Sequence, residues 1–159
     1  MNIRAAVAAD RPFLTLMLVE AVSWAPGAEI SIAAALANPS LARYVAGWPG
    51  PGELGVVAVE ATVPIGAAWL RRFDADDPGY GFVAPGIPEL SLAVAAHHRR
   101  RGVGRAMLSS LAGRARTAGI PAISLSVERA NPAAALYRAE GYVTAGGDDA
   151  AEIMVLRLD

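Results

Sequence analysis

The 159-residue sequence predicts an α/β fold of the α+β kind, a mixed and mostly antiparallel six- to seven-stranded sheet with helices on both faces. Three observations carry that expectation. From Glu89 to Val127 the chain runs strand, glycine turn, helix, strand: Glu89 to Ala96 is apolar and strand-like, Val103 to Ala118 is amphipathic, and Ala122 to Val127 alternates again. That order makes one parallel pair around a crossover helix. Leu54 to Ala61 and Ile65 to Phe73 form a hairpin with a tight turn at Thr62 to Pro64, and Tyr142 to Ala145 with Ala151 to Leu158 form a final antiparallel pair. The length and the 54% hydrophobic content fit one domain, residues 1–159, with a sizeable core.

The elements follow in order. Ile3 to Val7 is a first strand, and Asp10 caps a helix to about Ser23 with Phe13, Leu16, Met17, Ala21 and Trp24 on one face. Pro26 and Gly27 break it. Ile30 to Ala37 is a second helix, and Asn38 and Pro39 open a third that runs to about Ala46, before a Gly- and Pro-rich loop from Gly47 to Gly52. After the hairpin, Asp74 to Pro88 carries three aspartates, three prolines and three glycines. Such a connection is either an ordered lid or a mobile flap. The helix beginning at Val103 keeps Met107, Ser110, Leu111 and Ala115 on one stripe, and Gly119 and Pro121 stop it. Asn131 and Pro132 open a short helix of good helix formers, Ala133 to Glu140, which Gly141 ends.

Arg99 to Gly104 reads R-R-R-G-V-G between strand and helix. Two missing side chains and the unpaired amides of a helix start make an anion cradle of a size to suit a diphosphate. Competing phosphate motifs fail on chemistry. All basic residues are arginine, so no P-loop lysine exists, and Met107 stands where a dinucleotide fingerprint needs its third glycine. A net charge of −1 argues against nucleic acid as partner, while His97, His98, Arg99, Arg100, Arg101 and Arg105 suit a compact polyanion. No cysteine is present, which removes disulfides, thiolate nucleophiles and thiolate metal sites, and two histidines do not complete a metal centre. No window has the roughly 20 apolar residues of a membrane span, and Met1 to Asp10 alternates like a strand instead of a secretory leader. A cytoplasmic protein without membrane contact is the expectation.

With the Arg99-x-x-Gly102-x-Gly104 turn and the later Asn131, Leu136-Tyr137 and Gly141-Tyr142 pattern, the sequence resembles the GNAT superfamily of acetyl-CoA-dependent N-acyltransferases. The motif resemblance spans Glu89 to Tyr142; the N-terminal half agrees in element order alone. It implies that the parallel strands splay and admit acetyl-CoA, held by Leu92, Ala93, Val94, Arg99, Arg100, Arg101, Gly102, Val103, Gly104, Arg105, Asn131 and Tyr137. It implies further that the Val94 backbone meets the thioester carbonyl and that Tyr137 protonates the departing thiolate; an ordinary core phenol is the competing reading of Tyr137. Glu89 is the candidate base, against a solvated carboxylate at a strand entrance. By the same resemblance the acceptor pocket falls to Trp24, Glu29, Trp69, Asp74 and Tyr80, a set suited to a cationic amine, against the competing reading that the charged loop residues only keep the loops solvated. The expected activity is direct acetyl transfer to a primary amine of a small molecule or protein. A silent acyl-CoA sensor is the alternative, and a homodimer stays open.

Overall fold

The computed structural model describes all of residues 1–159, and its framework is a seven-stranded sheet in the order β1-β2-β3-β4-β5-β7-β6. The strands are β1 (Asn2–Ala5), β2 (Gly55–Glu60), β3 (Val63–Arg71), β4 (Glu89–Val94), β5 (Ala122–Glu128), β6 (Val143–Gly147) and β7 (Ala151–Arg157). Five helices join them: α1 (Arg11–Val22), α2 (Ile32–Ala37), α3 (Pro39–Ala42), α4 (Val103–Thr117) and α5 (Ala133–Ala139). All neighbouring strands are antiparallel except β4 and β5.

Helices cover both faces. On one, Met107 and Leu111 of α4 and Ala134 and Tyr137 of α5 pack with Ala68, Leu70 and Leu125 of the sheet. On the other, Leu14, Met17 and Leu18 of α1, with Tyr44, Val45 and Trp48 after α3, pack on Ala67, Trp69 and Ala93. Enclosure on both sides explains why β3 is buried continuously from Ile65 to Leu70 instead of alternating.

The parallel pair meets at one point. Glu89 pairs with Ser124, where the Ser124 N–H donates to Pro88 O at 3.0 Å, and no further register links β4 to β5. Each strand stays extended because its outer neighbour holds it: β3 pairs with β4 from Glu89 to Val94, and β7 pairs with β5 from Ala122 to Glu128. The inner edges are therefore free to diverge. The Ala95 N–H donates to Ile65 O at 2.8 Å, so the antiparallel alternation aims the Ser91 and Ala93 backbone groups at β3 and those of Leu92 and Val94 into the gap. Ala93, expected among the cofactor contacts, bonds through its backbone to β3 and buries its side chain against α1, and it still contributes to the lining of the gap.

Several boundaries move for local reasons. β1 stops at Ala5, short of Val7, because the Val7 N–H donates to Asp10 Oδ2 at 2.8 Å and Ala8–Asp10 form a 3-10 turn. β4 stops at Val94 because Ala96–His98 form another such turn. The third helix is only Pro39–Ala42, continued by turns. The hairpin turn is Ala61-Thr62, not Thr62 to Pro64: Glu60 pairs with Val63, and both turn residues have positive φ, 48° and 71°.

That two-residue loop demands left-handed backbone from an alanine and a β-branched threonine, where Asn-Gly is preferred. Replacing Ala61 with Asn and Thr62 with Gly together is expected to raise stability by about 1–2 kcal/mol. Thermal melts should show a rise of roughly 2–6 °C.

Candidate functional site

Where β4 and β5 part, a cleft of about 1090 Å³ opens and runs from the start of α4 to Glu89. At the α4 end the chain turns through Arg100 (φ 60°) and Gly102 (φ 80°), and no side chain caps the helix. Ala106 N–H is the first to find an intrahelical acceptor, Gly102 O at 3.0 Å, which leaves the Val103, Gly104 and Arg105 amides pointing out of the helix at its positive end. Space beside Gly102 is open, so a ligand can touch its backbone. Gly104 works differently: a Cβ there would lie 3.1 Å from Leu136 Cδ2, so its absence lets α5 approach α4.

The arginines divide their work. Arg99 Nε donates to Val94 O at 3.0 Å and its Nη2 to Glu20 Oε2 at 2.8 Å, so this residue ties the turn to β4 and α1. Arg105 pairs with Glu140 at 3.1 Å. Arg100 has no partner in the chain and lines the cleft, free for an anion. Arg101 faces elsewhere, donating to Glu60 Oε1 at 3.0 Å beside His98, and does not line the cleft. Position in the basic run cannot tell these four apart, because the acidic partners of Arg99, Arg101 and Arg105 come from distant parts of the chain.

At the other end Glu89 is 4% exposed. Its Oε2 accepts the Tyr44 hydroxyl, and its Oε1 accepts the Gly81 N–H at 2.9 Å. Burial pushes its carboxyl above the ordinary range, opposed by the Tyr44 and Gly81 bonds and by the Arg43 charge. It is therefore an enclosed carboxylate, not a solvated one. Ser124, its partner across the parallel bridge, is fully buried with an unpartnered Oγ.

Gly81 belongs to the Asp74–Pro88 connection, and its placement decides between lid and flap. The segment is docked: Arg43 Nη1 donates to Pro78 O at 2.7 Å, and the Arg43 guanidinium lies 5.1 Å from the Tyr80 ring centre and 5.5 Å from that of Phe73. Gly81 itself sits so close to β5 that a Cβ would fall 2.6 Å from Leu125 C and 2.7 Å from Ser126 N. Neither backbone atom can yield. Gly81→Ala is expected to lift the segment and cost about 1–3 kcal/mol of stability, with limited proteolysis newly cutting between residues 74 and 88.

Tyr137 projects from α5 and lines the same cleft. Burial alone pushes its phenol up to about 12, and no internal hydrogen bond holds its hydroxyl. Asn131 Oδ1 accepts the Ala133 N–H at 3.0 Å and so starts α5 while itself lining the cleft. Leu92, Ala93 and Val94 line it as well.

The residues expected to form an acceptor pocket separate into two groups. Trp24 and Tyr80 line the cleft; Trp24 Nε1 donates to Glu128 Oε2 at 2.8 Å, and Tyr80 stacks on Tyr44 with ring centres 6.3 Å apart. Trp69 does not reach it: the side chain is fully buried under α1 with Nε1 on Tyr44 O at 2.9 Å. Glu29 and Asp74 are exposed and lie off the cleft, Asp74 binding the Asp76 and Asp77 amides of its own turn at 3.0 Å. Tyr44, Gly81 and Glu128 are site members that the sequence pattern does not single out. The spaced glycines 79 and 81 are the one local signal, since paired glycines in a loop mark close backbone approach.

Comparisons with known proteins agree with this fold. The Acetyltransferase (GNAT) family profile matches residues 23–142. No curated protein matches the chain. Among solved structures, ribosomal-protein-alanine N-acetyltransferase from Brucella melitensis superposes with a TM-score of 0.70 at 24% identity, covering 99% of each chain. YncA from Salmonella typhimurium, a putative acetyltransferase solved with its cofactor acetyl-CoA, gives 0.70 at 24% identity over 100% of this chain and 94% of that one. A phosphinothricin acetyltransferase from Sinorhizobium meliloti, in complex with acetyl-CoA, gives 0.70 at 25% identity over 98% and 87%.

Proposed function

Since the chain belongs to the GNAT acetyltransferase family, we propose that it transfers an acetyl group from acetyl-CoA directly to a primary amine, using the β4–β5 cleft. One observation carries the reading. The uncapped α4 start, the enclosed carboxylate of Glu89 and the unbonded phenol of Tyr137 all open on a single cleft. Acetyl-CoA supplies the activated thioester, and the chain's own groups bind it, orient it and move protons.

The fit rests on groups that lack partners. The amides of Val103, Gly104 and Arg105, the open face of Gly102 and the free Arg100 guanidinium would hold the diphosphate. The inner edge of β4, where the Leu92 and Val94 backbone groups lack a strand partner, would receive the pantetheine amides. Arg99 holds the carbonyl of Val94, which leaves the Val94 N–H to face negative charge developing on the thioester oxygen. Glu89 takes one proton from the ammonium acceptor, the amine nitrogen bonds to the acetyl carbon as the carbon–sulfur bond breaks, and Tyr137 gives its proton to the departing thiolate. The second proton of the nitrogen returns to the Tyr137 phenolate, leaving the amide, the free thiol and a protonated Glu89 that releases its proton to water. At neutral pH a phenol raised to about 12 stays protonated for that task. No covalent acetyl-cysteine can form, because the chain has no cysteine.

The acceptor end carries Glu89 and Glu128 with the aromatic faces of Trp24 and Tyr80, a lining that favours a cationic amine. We place the activity in the cytoplasm, where acetyl-CoA is made and used. No helix is long and apolar enough to cross a membrane. Calorimetry with acetyl-CoA should register binding, and thiol release against a panel of amines and peptides should identify the acceptor. Absence of both heat and thermal shift with acetyl-CoA would overturn the assignment.

A further inference from the structure

Glu89 is the most deeply buried carboxylate lining the cleft, and its surroundings are more specific than a base requires. Each carboxylate oxygen takes one donor: Oε2 the Tyr44 hydroxyl, Oε1 the Gly81 N–H at 2.9 Å. A carboxylate accepts about four hydrogen bonds, so capacity remains for an acceptor ammonium or a bridging water. The Tyr44 hydroxyl is itself fixed from behind, accepting the Tyr80 N–H at 2.9 Å. Tyr44 and Gly81 come from separate stretches of chain, one from the turn after α3, the other from the docked connection. The Arg43 guanidinium joins them, lying 5.6 Å from the Tyr44 ring centre and 5.1 Å from that of Tyr80 while its Nη1 holds Pro78 O at 2.7 Å.

We infer that Tyr44 is a positioning residue for Glu89, and that its bond to Tyr80 N–H makes the readiness of the carboxylate depend on the docked segment Pro78–Gly81. This rests on the reading of Glu89 as the base. The hydroxyl acts in two directions. Toward Glu89 it stabilises the ionised form, since the phenol is held protonated by burial and by the Glu89 charge and donates its hydrogen bond to the carboxylate. Toward the connection it supplies the acceptor that keeps Tyr80 and Gly81 seated, so the second carboxylate donor arrives only when the segment is down. The neighbouring charges are few. Arg43 faces Glu89 from the turn after α3; Arg71, opposite Glu89 on β3, pairs with Glu53 at 3.3 Å; β5 offers only the neutral Ser124. Asp77 of the connection is drawn to Arg43 at 3.4 Å.

Tyr44→Phe keeps the ring, its packing and the Trp69 bond to the Tyr44 carbonyl, and removes only the hydroxyl. The Glu89 carboxyl titrated by carbon-13 NMR needs no substrate. Its midpoint is expected to move up by about one pH unit in Tyr44→Phe, the equivalent of one charge-assisted hydrogen bond. Amide exchange at Tyr80 and Gly81 should accelerate about tenfold in the same variant, with other loops unchanged. With an amine that turns over, the acid limb of kcat/KM should follow the NMR midpoint, while KM for acetyl-CoA holds. An unmoved midpoint overturns the positioning role, and unmoved exchange overturns the coupling to the segment. Failure of the base reading has a different mark: Glu89→Gln would then keep the acid limb. Glu89→Gln without the limb, together with an unmoved Tyr44→Phe midpoint, leaves the base in place and removes Tyr44 from its control.

Discussion

Tyr137→Phe should lower kcat for thiol release by about 10²–10³-fold and leave acetyl-CoA affinity within about a factor of two. The asymmetry follows from what the hydroxyl touches. The ring is 7% exposed and packs edge-on against Tyr142 at 5.8 Å between centres, and phenylalanine preserves that packing. The hydroxyl bonds to nothing in the chain, so its loss orphans no partner and the fold should keep its melting temperature. Only the transfer of a proton to sulfur disappears, and it is a transition-state interaction. Because burial holds the phenol at about 12, the wild-type enzyme should lose no activity to Tyr137 ionisation below about pH 11. Full activity in Tyr137→Phe would assign the proton to another donor. Turnover lost together with affinity would make Tyr137 a binding residue.

Features set by short-range chemistry are legible in the amino-acid sequence. The left-handed Gly102, the uncapped α4 and the Asn131 bond to the first amide of α5 depend on residues within a few positions of one another. Glu89 is legible as a strand-entry carboxylate, but its burial is not, since Tyr44 lies 45 residues away and the Gly81 amide depends on how the connection docks. Trp69 shows the same limit from the other direction. Burial on both faces of β3 erases the alternation that would tell an inward tryptophan from a cleft-lining one. The clustered arginines look equivalent in sequence because their distinguishing partners, Glu20, Glu60 and Glu140, are contributed by three separate elements.

Glu152→Ala should be strongly destabilising, at about 2–4 kcal/mol, which lowers the melting temperature by roughly 5–15 °C. Glu152 on β7 is 2% exposed and accepts from three side chains. Arg138 Nη2 reaches its two oxygens at 2.8 and 2.7 Å, Thr144 Oγ1 reaches it at 3.0 Å, and Arg129 Nη1 at 3.3 Å. Removing the anion leaves a polar void beside α5. The cost stays below that of a fully enclosed pair because both arginines are about half exposed, 52% and 45%, and can rehydrate. Arg138 directly follows Tyr137, so the same anchor sets the rotation of α5 and the aim of the phenol. A displacement of about 1 Å there is enough to cost up to about 10²-fold in rate. Glu152→Gln separates the two effects: it keeps the shape and the Thr144 contact and should cost only about 1–2 kcal/mol, with kcat falling more than acetyl-CoA affinity. Melting curves identical to wild type in both variants would show that α5 is held by its apolar face alone, and the aim of Tyr137 would then rest on Leu136 against Gly104.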